Sequence, residues 1–73
     1  MINNNYFKHS SSVISEKATI GDGTNIWHFS HIREGAKIGK NVTIGMNSLV
    51  TKNIPDNEIW LGIPAKKKEK LND

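Results

Sequence analysis

Two histidines, His28 and His31, are the side chains of this sequence best suited to acid–base chemistry. A neutral imidazole accepts a proton near pH 7, so either residue can act as a general base. The two could also form a metal-binding pair. However, the chain has no cysteine and no carboxylate completes the pair, so we expect no metal site. Packing or a place in a subunit interface is the simpler alternative for both histidines.

The elements that position these histidines follow a period of six residues. An aliphatic residue stands at every sixth position, at Ile14, Ile20, Ile26, Ile32, Ile38, Ile44 and Val50. Four positions after each of the first six aliphatics stands a small or β-branched residue. Three positions after the aliphatic, glycine or asparagine occupies most repeats, and both residues tolerate positive φ at a tight corner.

This period matches neither the 3.6-residue repeat of a helix nor the two-residue repeat of a strand. It predicts one short strand and one corner per repeat, and three repeats in each coil of about 18 residues. Stacked coils pair as parallel strands about 4.8 Å apart, with the aliphatic side chains inside. We therefore predict an all-β fold, a single-stranded parallel β-helix. Antiparallel hairpins with coincidental spacing are the alternative.

We predict one domain over residues 1–73. It has a lead-in at 9–13, two full coils at 14–49, a closing partial coil at 50–63 and a basic tail or short helix at 64–73. The same register predicts three inward columns, which are Ile14 with Ile32 and Val50, Ile20 with Ile38, and Ile26 with Ile44.

One stretch of the repeat is unusually apolar for a solvent-facing surface. Trp27, Phe29 and Met46 are expected at outward or corner positions, and Phe29 stands where other repeats have glycine or asparagine. A solenoid of so few coils also gains little stability from its repeats. We interpret this stretch as a subunit interface of an oligomer. A substrate pocket at that interface is a compatible alternative.

The hexad pattern resembles that of the bacterial hexapeptide-repeat acyltransferases, which are homotrimers that use acetyl-CoA or acyl carrier protein. Residues 21–39, GDGTNIWHFSHIREGAKIG, are similar to the opening coils of sugar-nucleotide N-acetyltransferases. The members that this sequence resembles most acetylate the 3-amino group of UDP-2-acetamido-3-amino-2,3-dideoxyglucuronate in surface-polysaccharide synthesis. Residues 47–68, NSLVTKNIPDNEIWLGIPAKKK, resemble the closing coil of the superfamily. The resemblance implies a left-handed β-helix.

The resemblance also implies a reaction and a set of site residues. Acetyl transfer would run directly from acetyl-CoA to a nucleotide-linked amino sugar, at a site between the subunits of a homotrimer. His31 or His28 would be the base, although some relatives are thought to need no protein base. The residues that match the coenzyme A contacts of the family are Thr51, Lys52, Lys66 and its neighbour Lys67 at the phosphates, with Pro64 and Ala65 near the adenine. A solvated basic tail is the alternative for the lysines.

The sequence departs from the family pattern in one respect, because the opening and closing segments are joined directly. Family members usually carry several more coils between them, and those coils hold much of the sugar-nucleotide pocket. The alternative to an enzyme is therefore a non-catalytic trimeric β-helix, as a relic, an assembly module or an engineered scaffold. The two alternatives differ in whether so few coils can enclose both acetyl-CoA and the sugar nucleotide.

Composition excludes some other classes. The formal net charge is only +3, and the lysines near the end are not interleaved with aromatic residues, so we expect no nucleic-acid partner. No apolar run approaches the roughly 20 residues of a membrane span, and residues 1–12 lack the apolar core of a signal peptide. Together with the absence of cysteine, this leads us to expect a cytoplasmic protein without membrane contact.

Overall fold

The computed structural model describes residues 5–68, which form a parallel β-helix of short strands. No helix occurs among these residues. The ten strands are β1 (Phe7–Lys8), β2 (Val13–Ile14), β3 (Thr19–Ile20), β4 (Asn25–Ile26), β5 (His31–Ile32), β6 (Lys37–Ile38), β7 (Thr43–Ile44), β8 (Leu49–Val50), β9 (Ile59–Gly62) and β10 (Ala65–Lys67). The all-β prediction is confirmed, and the strands form the predicted left-handed parallel β-helix.

The strands are arranged in three sheets that form the sides of a triangular coil. A five-stranded sheet has the order β1-β4-β7-β9-β10, a three-stranded sheet has the order β2-β5-β8, and a two-stranded sheet pairs β3 with β6. The chain visits the five-, three- and two-stranded sheets in turn. Residues 9–12, 27–30 and 45–48 therefore lie at the corner between the five- and three-stranded sheets.

The inward columns have the register that the sequence predicts. Ile14 pairs with Ile32, and Ile32 with Val50, in the three-stranded sheet. The other two columns are also observed, since Ile20 pairs with Ile38 and Ile26 with Ile44. The core is continuous because each coil places an aliphatic side chain directly over that of the next. Its buried hydrophobic residues are Ile26, Ile32, Ala36, Ile38, Val42, Ile44, Val50, Ile54 and Ala65.

The small residues that follow each strand have a second role beyond filling space. Thr24 is fully buried, and its Oγ1 donates to the carbonyl of Gly39 at 2.8 Å and accepts from the amide of Val42 at 3.1 Å. Ser30 Oγ donates in the same way to the carbonyl of Gly45 at 2.8 Å. These hydroxyls link one coil to the next by pairing with backbone groups at the corners.

The two ends of the solenoid differ from the predicted boundaries. Before the expected lead-in, β1 already pairs in parallel with β4. At the other end, the prediction of a tail or helix from residue 64 is wrong for Ala65–Lys67, which form β10 antiparallel to β9. The reason is that β10 is an edge strand held by backbone pairing, so its lysine side chains can stay in solvent. The remainder of the predicted tail, residues 69–73, lies outside the described residues.

Candidate functional site

The corner between the five- and three-stranded sheets carries three consecutive ring-bearing residues, Trp27, His28 and Phe29. We call residues 27–29 together with Met46 the aromatic corner. Trp27 is partly exposed and its ring lies 5.3 Å from that of Phe7, measured between centroids. Phe29 and Met46 are 69% and 67% exposed. The sequence therefore placed Trp27, Phe29 and Met46 correctly on an exposed apolar surface, and such a surface is typical of a binding or subunit contact.

His28 is held at this corner by a histidine that the sequence analysis did not single out. The rings of His9 and His28 stack with centroids 3.7 Å apart. His9 Nδ1 lies 2.8 Å from the hydroxyl of Ser11, and that same hydroxyl accepts from the amide of Phe29 at 2.9 Å. The six-residue period, extended back from Ile14, reaches the coil that contains His9. The inward position of that coil is Lys8 instead of an aliphatic residue, so the pattern of aliphatic residues does not reveal the coil.

The surroundings of His28 argue against a role as the base. Its Nδ1 atom is buried and has no hydrogen-bond partner among residues 5–68. Because Nδ1 is buried, the hydroxyl or amine of an acceptor cannot reach this nitrogen from solvent. This geometry suits a packing role for His28.

His31 has the opposite surroundings. It is the first residue of β5 and is exposed on the outer face of the three-stranded sheet, as the sequence predicts. Its strand partners are Val13 and Leu49, so the outer column of this sheet is apolar on both sides of the imidazole. An exposed imidazole with apolar neighbours can exchange a proton with a ligand that approaches this face.

The residues matched to coenzyme A contacts lie in two separate places. Thr51 and Lys52 are exposed at the corner between the three- and two-stranded sheets. Lys66 and Lys67 lie on β10, at the end of the five-stranded sheet, which is the side of the triangle opposite that corner. A single chain therefore does not bring the two pairs to one face.

The structure also shows a contact of Lys67 that the sequence did not predict. Its Nζ lies 3.4 Å from a carboxylate oxygen of Glu58, and the indole N–H of Trp60 donates to the other oxygen at 2.9 Å. Lys66 has no such carboxylate partner among the described residues and is exposed. Pro64 is exposed in the turn before β10, and Ala65 is buried against the core. Lys66 is thus the freer of the two cations for a phosphate.

No cluster of three or more histidine, cysteine or acidic side chains that could hold a metal ion occurs in the part of the chain that the structure describes. Residues 5–68 also contain no helix that is long and apolar enough to cross a membrane. The site is therefore described by its imidazoles, its apolar surface and its lysines.

A triangular parallel β-helix with a six-residue repeat is the architecture expected of a hexapeptide-repeat protein. Residues 17–52 match the family described as "Bacterial transferase hexapeptide (six repeats)". The chain belongs to this hexapeptide-repeat family.

Several acetyltransferases are similar to parts of the chain. A galactoside O-acetyltransferase of Lactococcus lactis subsp. lactis (strain IL1403) is 56% identical over 39 residues, which are 53% of this chain and 19% of the relative. A galactoside O-acetyltransferase of Escherichia coli (strain K12) is 43% identical over 53 residues, which are 70% of this chain and 26% of the relative. The chain thus spans about a fifth to a quarter of the length of these relatives.

Solved structures agree on the fold. A maltose O-acetyltransferase from Clostridium difficile 630 superposes with a TM-score of 0.70 at 39% identity, over 77% of this chain and 30% of that one. PerB from Caulobacter crescentus, solved in complex with CoA and GDP-perosamine, superposes with a TM-score of 0.54 over 88% of this chain and 57% of that one. Its identity is 17%, so this second likeness concerns the fold alone.

Proposed function

We propose that this chain is part of an acetyl-CoA-dependent acetyltransferase that acts on a sugar. The observation that carries the proposal is the exposed imidazole of His31, which lies on an apolar outer face within the repeat that defines the family. The similar galactoside and maltose O-acetyltransferases support a sugar acceptor. The resemblance of residues 21–39 to sugar-nucleotide N-acetyltransferases supports a nucleotide-linked amino sugar as the particular acceptor.

His31 is the base in the proposed reaction. It removes the proton as the amine or hydroxyl of the acceptor attacks the thioester carbonyl of acetyl-CoA. The new C–N or C–O bond forms, the C–S bond breaks, and the proton passes from the imidazole to the departing CoA thiolate. Transfer is direct, since the proposal needs no acyl-enzyme. The neighbours Val13 and Leu49 flank the imidazole with apolar surface.

The proposed assembly is a homotrimer with acetyl-CoA between neighbouring chains. Because Thr51 and Lys52 lie away from Lys66 and Lys67 in one chain, the two pairs can hold one coenzyme only if they come from two subunits. Lysine suits this role because its ammonium is a compact charge for phosphate. The exposed aromatic corner supplies apolar area for the subunit contact.

A thiol-release assay tests the proposed reaction directly. The chain has no cysteine, so every thiol that appears with acetyl-CoA and an acceptor comes from CoA. We expect turnover with a nucleotide-linked amino sugar, and we expect His31→Gln to reduce kcat by about 100- to 10,000-fold, the usual contribution of a general base. His28→Gln is the matched control and should retain most of the activity.

Other outcomes decide between the alternatives. Turnover with galactosides or maltose, but not with an amino sugar, would show that the acetyl-transfer reaction is correct and that the acceptor is a neutral sugar. An equal loss of kcat in His31→Gln and His28→Gln would contradict the proposal that His31 is the base. A folded protein without turnover on any of these sugars would favour the non-catalytic β-helix.

A further inference from the structure

Ser11 differs from the three buried serines of the same corner in the partner of its hydroxyl. Ser12, Ser30 and Ser48 are buried, and each donates its hydroxyl proton to a backbone carbonyl. Ser11 is only partly buried, and its Oγ lies 2.8 Å from Nδ1 of His9. Its hydroxyl therefore faces an imidazole nitrogen instead of a peptide oxygen.

The direction of this hydrogen bond follows from a second contact of the same ring. The backbone amide of Ser11 donates to His9 Nδ1 at 3.1 Å, so Nδ1 presents a lone pair and carries no proton. The contact between Oγ and Nδ1 is then an O–H group that donates to the imidazole. A serine hydroxyl whose proton points at a neutral imidazole nitrogen has the arrangement of an activated nucleophile.

The oxygen atom of Ser11 is held by a donor as well. The backbone amide of Phe29 donates to Oγ at 2.9 Å. When the hydroxyl loses its proton, negative charge develops on Oγ, and a fixed N–H group stabilises that charge. A hydroxyl oxygen has two lone pairs, so one remains for attack on an electrophile.

The stacking of two coils fixes the imidazole of His9. Its ring lies 3.7 Å from that of His28 between centroids, with 29° between the two planes. His9 and Ser11 come from one coil, whereas His28 and the amide of Phe29 come from the next coil. The nucleophile, the proton acceptor and the donor to Oγ are thus oriented by the fold, and such orientation in advance favours reaction.

We propose that Ser11 is an acyl-accepting nucleophile with His9 as its base, at a site that takes activated esters and thioesters. Oγ attacks the carbonyl carbon of the donor while its proton passes to His9 Nδ1. The new C–O bond forms, the bond from the carbonyl carbon to the leaving group breaks, and the leaving group takes the proton from the imidazole. The product is an O-acylserine. This inference goes beyond the proposed function and is independent of it, because it uses neither His31 nor a coenzyme A contact.

Wild-type protein and the aryl ester p-nitrophenyl acetate test the inference without any substitution. The chain has no cysteine, so no thiol competes for the acetyl group. After brief incubation and proteolysis, tandem mass spectrometry locates each acetyl group. We expect acetylation of Ser11, in a form that hydroxylamine removes, since hydroxylamine cleaves esters and leaves acetylated lysines intact. Acetyl groups confined to lysines, or spread equally over Ser10, Ser11 and Ser15, would overturn the proposal.

Substitution of His9 tests the role of the base. His9→Gln keeps a polar side chain but removes the proton acceptor, and it should slow the acetylation of Ser11 by at least about 100-fold. Ser10→Ala is the matched control, because Ser10 is the exposed neighbour of Ser11, and it should leave the rate unchanged. An unchanged rate in His9→Gln would refute the assignment of the base.

Unfolding provides the last comparison, because His9→Gln also removes the ring that stacks on His28. In urea the wild-type chain loses the amide of Phe29 beside Oγ, so acetylation of Ser11 should fall to the rate of Ser10. If Ser11 reacts as fast in the unfolded chain as in the folded one, the coils contribute nothing and the proposal is wrong. Acetylation of Ser11 decides this inference alone, and acetyl transfer to a sugar decides the proposed function alone.

Discussion

Replacing Thr24 by valine tests whether the corner hydroxyls hold the coils together. Valine has nearly the same shape, so it creates no cavity at this fully buried position. It removes the hydroxyl that donates to the carbonyl of Gly39 and accepts from the amide of Val42. Both backbone groups then lack a partner, and each unpaired buried group costs about 1–3 kcal/mol. We expect a loss of roughly 2–4 kcal/mol in the free energy of unfolding.

This loss is large for so small a chain. Domains are stable by about 0.05–0.15 kcal/mol per residue, so Thr24→Val should remove about a fifth of the stability or more. The thermal midpoint, followed by circular dichroism, should fall by about 10–25 °C. Because assembly adds to apparent stability, the comparison is made at several protein concentrations. Thr19→Val is the matched control, since Thr19 is exposed on β3, and it should change the free energy by less than about 0.5 kcal/mol. A Thr24→Val midpoint no lower than that of the control would refute the structural role of the hydroxyl.

Three further substitutions probe the core, the coil spacing and the coenzyme contact. Ile32→Asp places a charge at a fully buried position and should abolish folding, so an unchanged circular dichroism melting curve would show that the register is wrong. Gly21→Ala adds a β-carbon 2.6 Å from the backbone of Gly39 and should lower the urea midpoint; an equal midpoint would contradict the close packing of coils. Lys52→Ala should weaken acetyl-CoA binding by about tenfold. The control Lys40→Ala, at a different corner, should leave binding unchanged. Equal weakening by the two substitutions would indicate a non-specific effect of charge.

The register of the β-helix could be predicted because one physical rule repeats from Ile14 to Val50. The inward positions of this range are aliphatic, so their six-residue spacing determines which strands pair, as Ile14 with Ile32 shows. Glycine and asparagine also mark four corners that have positive φ, at Gly23, Gly35, Asn41 and Asn47. Neither inference depends on contacts between distant side chains.

Features outside the repeat could not be predicted in the same way. Lys8 occupies the inward position of β1, and its ammonium donates to the carbonyl of Ser12 at 2.9 Å, so the coil lacks the aliphatic residue that would reveal it. The lysines of β10 hide a strand that is held by backbone pairing with β9. The spacing of residues along the chain also does not show that Lys52 and Lys66 lie on different sides of the triangle.

The candidate site was predicted as a set of residue types, and the structure distinguishes among them by their surroundings. His28 and His31 are equivalent as imidazoles in the sequence, but one is stacked on His9 with a buried, unpaired nitrogen and the other is exposed among apolar residues. Burial depends on the neighbouring coil, which the local sequence does not contain. The assignment of the base to His31 comes from this difference.

Acetyl-CoA binding by the purified protein, measured by calorimetry with the mass in solution determined alongside, tests the central claim most directly. The account predicts a trimer that binds about one acetyl-CoA per chain, because each coenzyme is held by Thr51 and Lys52 of one subunit and Lys66 of its neighbour. A stable trimer that releases no binding heat with acetyl-CoA, or a monomer that binds it as tightly as any assembly, would contradict an acetyl-transfer site shared between chains.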